Sequence, residues 1–315
     1  MLEFSQYTLI AGLVFVVLAT ISYIVAFMNG RARVAELEAS RTRVPVAVGA
    51  GPSGAGAVSD RPVPAAAGAS GAAARTLSGY GALFVRLALA FLTACLVLRG
   101  IAVKHGPFTN QYEFSVSFGW GIVAAYTFFE IRYRIRTVAL VVLPIAGAML
   151  LYALTEDATA NPLVPALQNS LLLTVHVVVA IFAYGAFAVS AAAAAMYLAQ
   201  DYFRPGVGIK GLPKPEVLDR LGYKAVIIGF PLLTMVVVLG AAWAQIAWGS
   251  YWSWDPKETA SLVTWLIYGG YLHARVARGW VGRRAAWLLV LGFASVLLTF
   301  FGNLFFGGLH SYGRM

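Results

Sequence analysis

Four histidines, one cysteine and a dense aromatic segment are the residues of this 315-residue chain with chemistry to offer. Cys95 stands alone, which excludes an internal disulfide and a Cys-X-X-Cys redox pair. A covalent c-type haem site is excluded too, since it requires Cys-X-X-Cys-His. His105, His176, His273 and His310 lie in or near apolar stretches, where an ionisable side chain is costly unless it is paired or ligating. Zinc would want Cys, Asp or Glu to complete a tight cluster, and these histidines sit apart without such company. Haem iron asks for two axial imidazoles and an apolar, aromatic-lined slot. The segment Trp248-Gly249-Ser250-Tyr251-Trp252-Ser253-Trp254-Asp255-Pro256-Lys257-Glu258 puts four large aromatics within seven residues. An interfacial belt would spread Trp and Tyr over all helices. Here they gather in one loop with Asp255, Pro256 and Glu258, the arrangement of a ligand platform whose flat faces suit a large planar aromatic ligand.

These side chains ride on membrane helices. Hydrophobic residues make up 60% of the chain and charged ones 11%, against about 25% charged in a soluble domain. A water-soluble globular fold is therefore excluded. Apolar runs at 7–28, 79–101, 115–131, 138–154, 170–198, 225–247, 259–274 and 285–304 predict an all-α polytopic membrane protein with eight transmembrane helices. The first run is expected to be a retained helix, because Met1-Leu2-Glu3-Phe4 has no positive charge and Arg31 and Arg33 follow the run. Segments 29–78, 132–137, 199–224 and 275–284 hold 18 of the 23 Lys and Arg residues. That asymmetry places them in the cytoplasm and both the N-terminus and the C-terminus outside. It also accounts for the net charge of +10 through membrane topology, with lipid and not nucleic acid as the partner. The organisation expected is a first transmembrane helix over 1–28, a cytoplasmic Ala/Gly/Pro-rich linker over 29–78, and a seven-helix core over 79–315. The linker shows no periodicity and is expected to be disordered. No internal repeat suggests the inverted halves of a transporter.

On this topology His176 lies about two turns into the fifth helix from its outer end, and His310 lies just beyond the eighth helix, also outside. Both fall near the 248–258 loop. His105 belongs to the outer loop between helices two and three. His273 follows Glu258 by 15 residues, about 22 Å deeper along a helix, so it is either structural or part of a second site. Gly269 and Gly270 precede it on the same face and would either open space for a bulky planar group or let helices pack closely. Arg275 and Arg278, about one turn further in, are candidates to meet carboxylates there. Glu113 and Glu130 are expected to be solvated or paired with Arg132 and Arg134, and Arg86, inside the second span, to snorkel.

The run Trp248 to Glu258, followed by a helix ending Tyr271-Leu272-His273-Ala274-Arg275, resembles the tryptophan-rich WWD signature of haem-handling proteins. It is most similar to the CcsA/ResC-type cytochrome c biogenesis proteins of System II, to which Asp255-Pro256-Lys257-Glu258-Thr259 and the segment Arg99 to Phe114 also conform. The likeness covers about 79–315, leaving the first helix matched by position only and the linker unexplained. The resemblance implies a protein of the bacterial plasma membrane that works with a Ccs1/ResB-type partner. Such proteins carry haem b non-covalently from the cytoplasmic side outward and present it to apocytochrome c bearing Cys-X-X-Cys-His, as part of a cytochrome c synthase. It implies that His176 and His310 ligate the presented haem beside Trp248, Trp252, Trp254 and Asp255. It further implies that His273 ligates an inner haem whose second ligand comes from the partner. The competing reading is a membrane b-type cytochrome electron-transfer subunit, but those stack two haems between helices that each carry two histidines, and no helix here carries two.

Overall fold

In lipid every backbone N–H and C=O must be satisfied within its own segment, and long apolar runs therefore fold as helices. The computed structural model describes all residues except 43–64, 161–162, 165–166, 169 and 312–315. Among the described residues eight α-helices follow one another: α1 Leu2–Thr42, α2 Ala65–Val103, α3 Gln111–Tyr133, α4 Ala139–Ala153, α5 Ser170–Phe203, α6 Pro215–Trp248, α7 Pro256–Arg278 and α8 Arg283–Phe305. A 3-10 turn, Arg136–Val138, leads into α4, and no strand occurs among the described residues.

Seven of the eight helices are long and apolar enough to cross a membrane. The exception is α7, whose apolar character is diluted by Thr264, Tyr268, Tyr271, His273 and two glycines. Of the eight spans expected, all eight appear as helices among the described residues, and seven qualify as spans by length and hydropathy. Helix reaches into the expected 29–78 linker from both sides. Helix α1 runs on to Thr42 and α2 begins at Ala65, so both ends of the 29–78 segment are helical and only 43–64 lies outside the described residues. Ala, Glu, Leu and Arg, the strongest helix formers, dominate those extensions.

Helices α1 and α2 pack as a long hairpin, α5 pairs with α6 and α7 with α8, while α3 sits against α4 and α5. Close crossings rely on glycine, as expected where lipid supplies no hydrophobic drive for helices to associate. A Cβ on Gly185 of α5 would come within 2.5 Å of the Gly121 carbonyl oxygen of α3. A second, smaller buried cluster of Phe108, Leu167, Leu173, Val177, Ile181 and Trp243 packs at the end of α5 and α6 nearest the 248–258 loop.

Polar pairing inside the bundle differs from the expected one. Arg99 and Glu113, about 1% exposed each, form an ion pair at 2.8 Å. Arg99 also donates to the Ala158 carbonyl, and Glu113 accepts from the Thr109 N–H, both at 2.8 Å. The pair thereby pins the α2–α3 connection to the α4–α5 connection. Glu130 pairs with Arg136 at 3.1 Å, not with Arg132 or Arg134. Arg134 is instead the left-handed cap that ends α3, with φ 56°. Arg86 is exposed on α2.

Candidate functional site

The aromatic loop runs between two well-capped helix ends. Helix α6 stops at Trp248, where Gly249 takes φ 76° and its N–H bonds the Gln245 carbonyl. Helix α7 starts with a capping box, with Pro256 in its first turn. Asp255 Oδ1 accepts the Lys257 N–H at 2.9 Å. Glu258 Oε2 accepts the N–H groups of Ser253 at 2.8 Å and Asp255 at 3.2 Å. Between these caps Trp254 adopts φ 58°, rare for a residue with a side chain, and stands 69% exposed.

Asp255 also holds the segment after α8. Its Oδ2 accepts the Leu309 N–H at 2.6 Å, and its Oδ1 lies 2.8 Å from His310 Nδ1. A Cβ on Gly308 would collide with the same carboxylate. Burial alone would raise the Asp255 carboxyl, but the hydrogen bond and charge of His310, with the Lys257 and Leu309 N–H groups, hold it down at about 2. An ionised carboxylate only accepts, so the His310 proton sits on Nδ1 and the Nε2 lone pair is the available one. Burial lowers the His310 imidazole below its ordinary value while Asp255 acts against that shift. The ring stands edge-on to Trp248, with centroids 4.7 Å apart, and 5.9 Å from Trp243.

His176 approaches the same region from α5. Its ring lies so close to α6 that a Cβ on Gly240 would come within 2.8 Å of Cε1. Its Nδ1 is buried with no hydrogen-bond partner among the described residues. Gly240 and Trp243 are one turn apart on α6, so one helical face offers a gap to His176 and then an indole to His310. Both histidines line one cavity of about 360 Å³, within the range of small-molecule sites. Trp243, Tyr251, Trp252, Phe114 and Lys257 line it too. Trp252 meets Trp254 edge-to-face at 5.7 Å. An orphaned imidazole nitrogen, a second imidazole with its lone pair free and aromatic walls together suit a planar ligand with a metal centre.

The structure thus brings His176, His310 and Trp252 to one cavity, with Asp255 and Trp248 against His310 and Trp254 edge-on to Trp252. It separates the other histidines from them. His105 is held by its own loop, Nδ1 lying 2.9 Å from the Gly106 carbonyl. His273 is exposed on α7. Of its neighbouring glycines, Gly270 faces open space and Gly269 meets only the Phe230 ring at ordinary contact distance. Arg275, expected to be available for carboxylates of a ligand, is engaged within the chain. It makes a two-pronged pair with Asp219 of α6 at 2.8 and 2.6 Å and lies over the Tyr223 ring. Gly240 and Trp243 were not singled out by the sequence, because an apolar run gives no motif that marks which of its faces meets a histidine.

Residues 108–310 match the family described as cytochrome c assembly protein. The chain is 36% identical over 259 residues to the cytochrome c biogenesis protein CcsA of Guillardia theta, covering 75% of this chain and 85% of that protein. It is 36% identical over 285 residues to the protein of the same name from Gloeobacter violaceus, covering 72% and 84%. This chain belongs to the cytochrome c assembly family. Among solved structures, the cytochrome c haem lyase CcmF superposes with a TM-score of 0.54 over 93% of this chain, at 20% identity. The chain spans only 46% of that protein's length, and the likeness is one of fold. Within this member of the assembly family, a multi-span helical membrane protein, the matched stretch ends on His310 and contains every residue named above as lining the cavity. The α1–α2 hairpin precedes it.

Proposed function

We propose that this member of the cytochrome c assembly family binds haem b non-covalently in the outer cavity and presents it for attachment to an apocytochrome c. The observation that carries this reading is that His176 and His310, on separate elements, line one cavity beside Trp252. Their imidazoles are the two axial ligands, and Asp255 fixes the His310 tautomer, as carboxylates do for metal-ligating histidines. Attachment adds each thiol S–H of a reduced Cys-X-X-Cys-His across a haem vinyl group. The chain's share is to hold the ring still, with Trp248, Trp252 and Trp254 around it, so that the thiols meet a positioned vinyl edge.

The wider setting follows from charge and exposure. The chain sits in the bacterial plasma membrane with α7 as an eighth span and both termini outside, which the 18 inward Lys and Arg residues support. His273 serves a second, inner haem, and its exposure on α7 leaves it open to a ligand supplied by a Ccs1/ResB-type partner. Haem then moves from the inner site to the outer one within a cytochrome c synthase complex.

The test is substitution at the outer site. Alanine at His176 or at His310 should abolish cytochrome c maturation, and added imidazole should partly restore it by filling the vacated coordination position. Normal maturation by either alanine variant without imidazole removes that residue from the site.

A further inference from the structure

No described residue forms an ion pair with the Lys257 ammonium in the outer cavity, and the Asp255 charge acts on it only through space. Lys257 is the only lysine or arginine among the described residues lining that space. Its ammonium lies 5.1 Å from the centre of the Phe114 ring and makes no hydrogen bond or ion pair with a described residue. The carboxylates nearest in sequence are committed elsewhere. Asp255 accepts from His310, from Leu309 and from the Lys257 backbone. Glu258 accepts from Ser253 and from the Asp255 backbone. Glu156 lines the cavity as well but forms no ion pair with Lys257. A cation held among aromatic and apolar walls wants an anion, and because the two histidines share those walls, that anion belongs to the same ligand.

We propose that Lys257 is the anchor for a carboxylate of the porphyrin held between His176 and His310. The proposal rests on the haem reading above and adds an orientation to it. Haem b carries both propionates on one edge, so an ammonium that pairs with them decides which edge enters beside Phe114 and α7, and directs the vinyl groups away from Lys257. Two axial imidazoles fix the iron and the ring plane but leave rotation about the iron axis open. Lys257 removes that freedom with a charge-assisted hydrogen bond.

The experiment compares two probes on the purified, haem-stripped full chain: iron protoporphyrin IX and its dimethyl ester, in which both propionates are neutral. The wild-type protein should bind the free acid about tenfold more tightly than the ester, the low end for a hydrogen bond to a charged group. Lys257→Gln should lose that preference while binding the ester as the wild type does, which also reports that it is folded. Lys257→Arg should restore the preference. Equal affinity of the wild type for both porphyrins overturns the assignment, as does a preference that survives in Lys257→Gln; in either case tight binding leaves the haem reading standing. A wild-type protein that takes up neither probe overturns the haem reading itself, and the anchor with it.

Discussion

Asp255 does three things with one carboxylate. It caps α7, ties down the Leu309 backbone and fixes His310. A carboxylate so placed raises the basicity of the imidazole and prevents the ring from turning, and loss of such a partner typically costs about 10- to 100-fold in metal affinity. Asp255→Ala should therefore lower haem affinity by about that factor, with a larger rise in haem off-rate than in Asp255→Asn, whose amide oxygen still accepts from Nδ1. Stopped-flow transfer of haem to an acceptor protein measures both. The pH dependence has a defined sign. Burial holds the His310 imidazole below its ordinary value, so protons do not compete with iron for Nε2 as pH falls from 8 to about 6.5. Haem retention should stay flat over that range and fall only on further acidification. Loss that begins above about pH 7 would mean a His310 pKa at or above the ordinary value of about 6.5 and would contradict the geometry.

Among the elements, α6 does most to shape the site, because a single turn of it presents Gly240 to His176 and Trp243 to His310. Gly240→Ala should push the His176 ring off α6 and weaken or abolish the six-coordinate haem spectrum at normal protein abundance. Gly185→Leu, at the α3–α5 crossing, should instead lower abundance, since its side chain would collide with backbone. Haem per polypeptide set against membrane level separates the two effects, and a Gly240→Ala protein with a wild-type spectrum would show that the close approach does not matter. The contrast also marks what a sequence can and cannot disclose. Apolar runs locate helices because burial in lipid dictates them, and the 248–258 loop was legible because aromatic density and the Asp-Pro-Lys-Glu cap are local. Gly240 was not, since its meaning depends on a histidine 64 positions earlier. The Arg99–Glu113 pair was missed for the same reason: proximity in space is set by a helix–loop–helix turn that charge counting does not see. The reach of α1 to Thr42 was legible in principle, in its Ala, Glu and Leu content, but was outweighed by the lack of an apolar stripe.

For the whole molecule, the proposed function connects these pieces through two depths and one direction of travel. On that proposal the outer end carries the capped 248–258 loop and the buried Arg99–Glu113 pair. Towards the end proposed as inner, His273 is exposed, Gly270 opens onto free space, and Arg275 is tied to Asp219 and so unavailable to a ligand. An exposed histidine on a helix that is less apolar than its neighbours is out of place against lipid, but it fits a surface completed by another protein. That arrangement predicts a haem count that depends on company. Purified alone, the chain should carry one haem at most, bound by the outer pair. Co-purified with a Ccs1/ResB-type partner, it should carry a second, and His273→Ala should remove that one while leaving the outer spectrum in place. Arg275→Gln should not mimic that loss, since its guanidinium serves Asp219, whereas Arg278, exposed at the end of α7, remains able to meet a propionate. Pyridine haemochrome quantification per complex reads all of these directly. An unchanged count on co-expression, or on His273→Ala in the complex, would confine this chain to a single haem site and leave His273 as a packing residue at a protein interface.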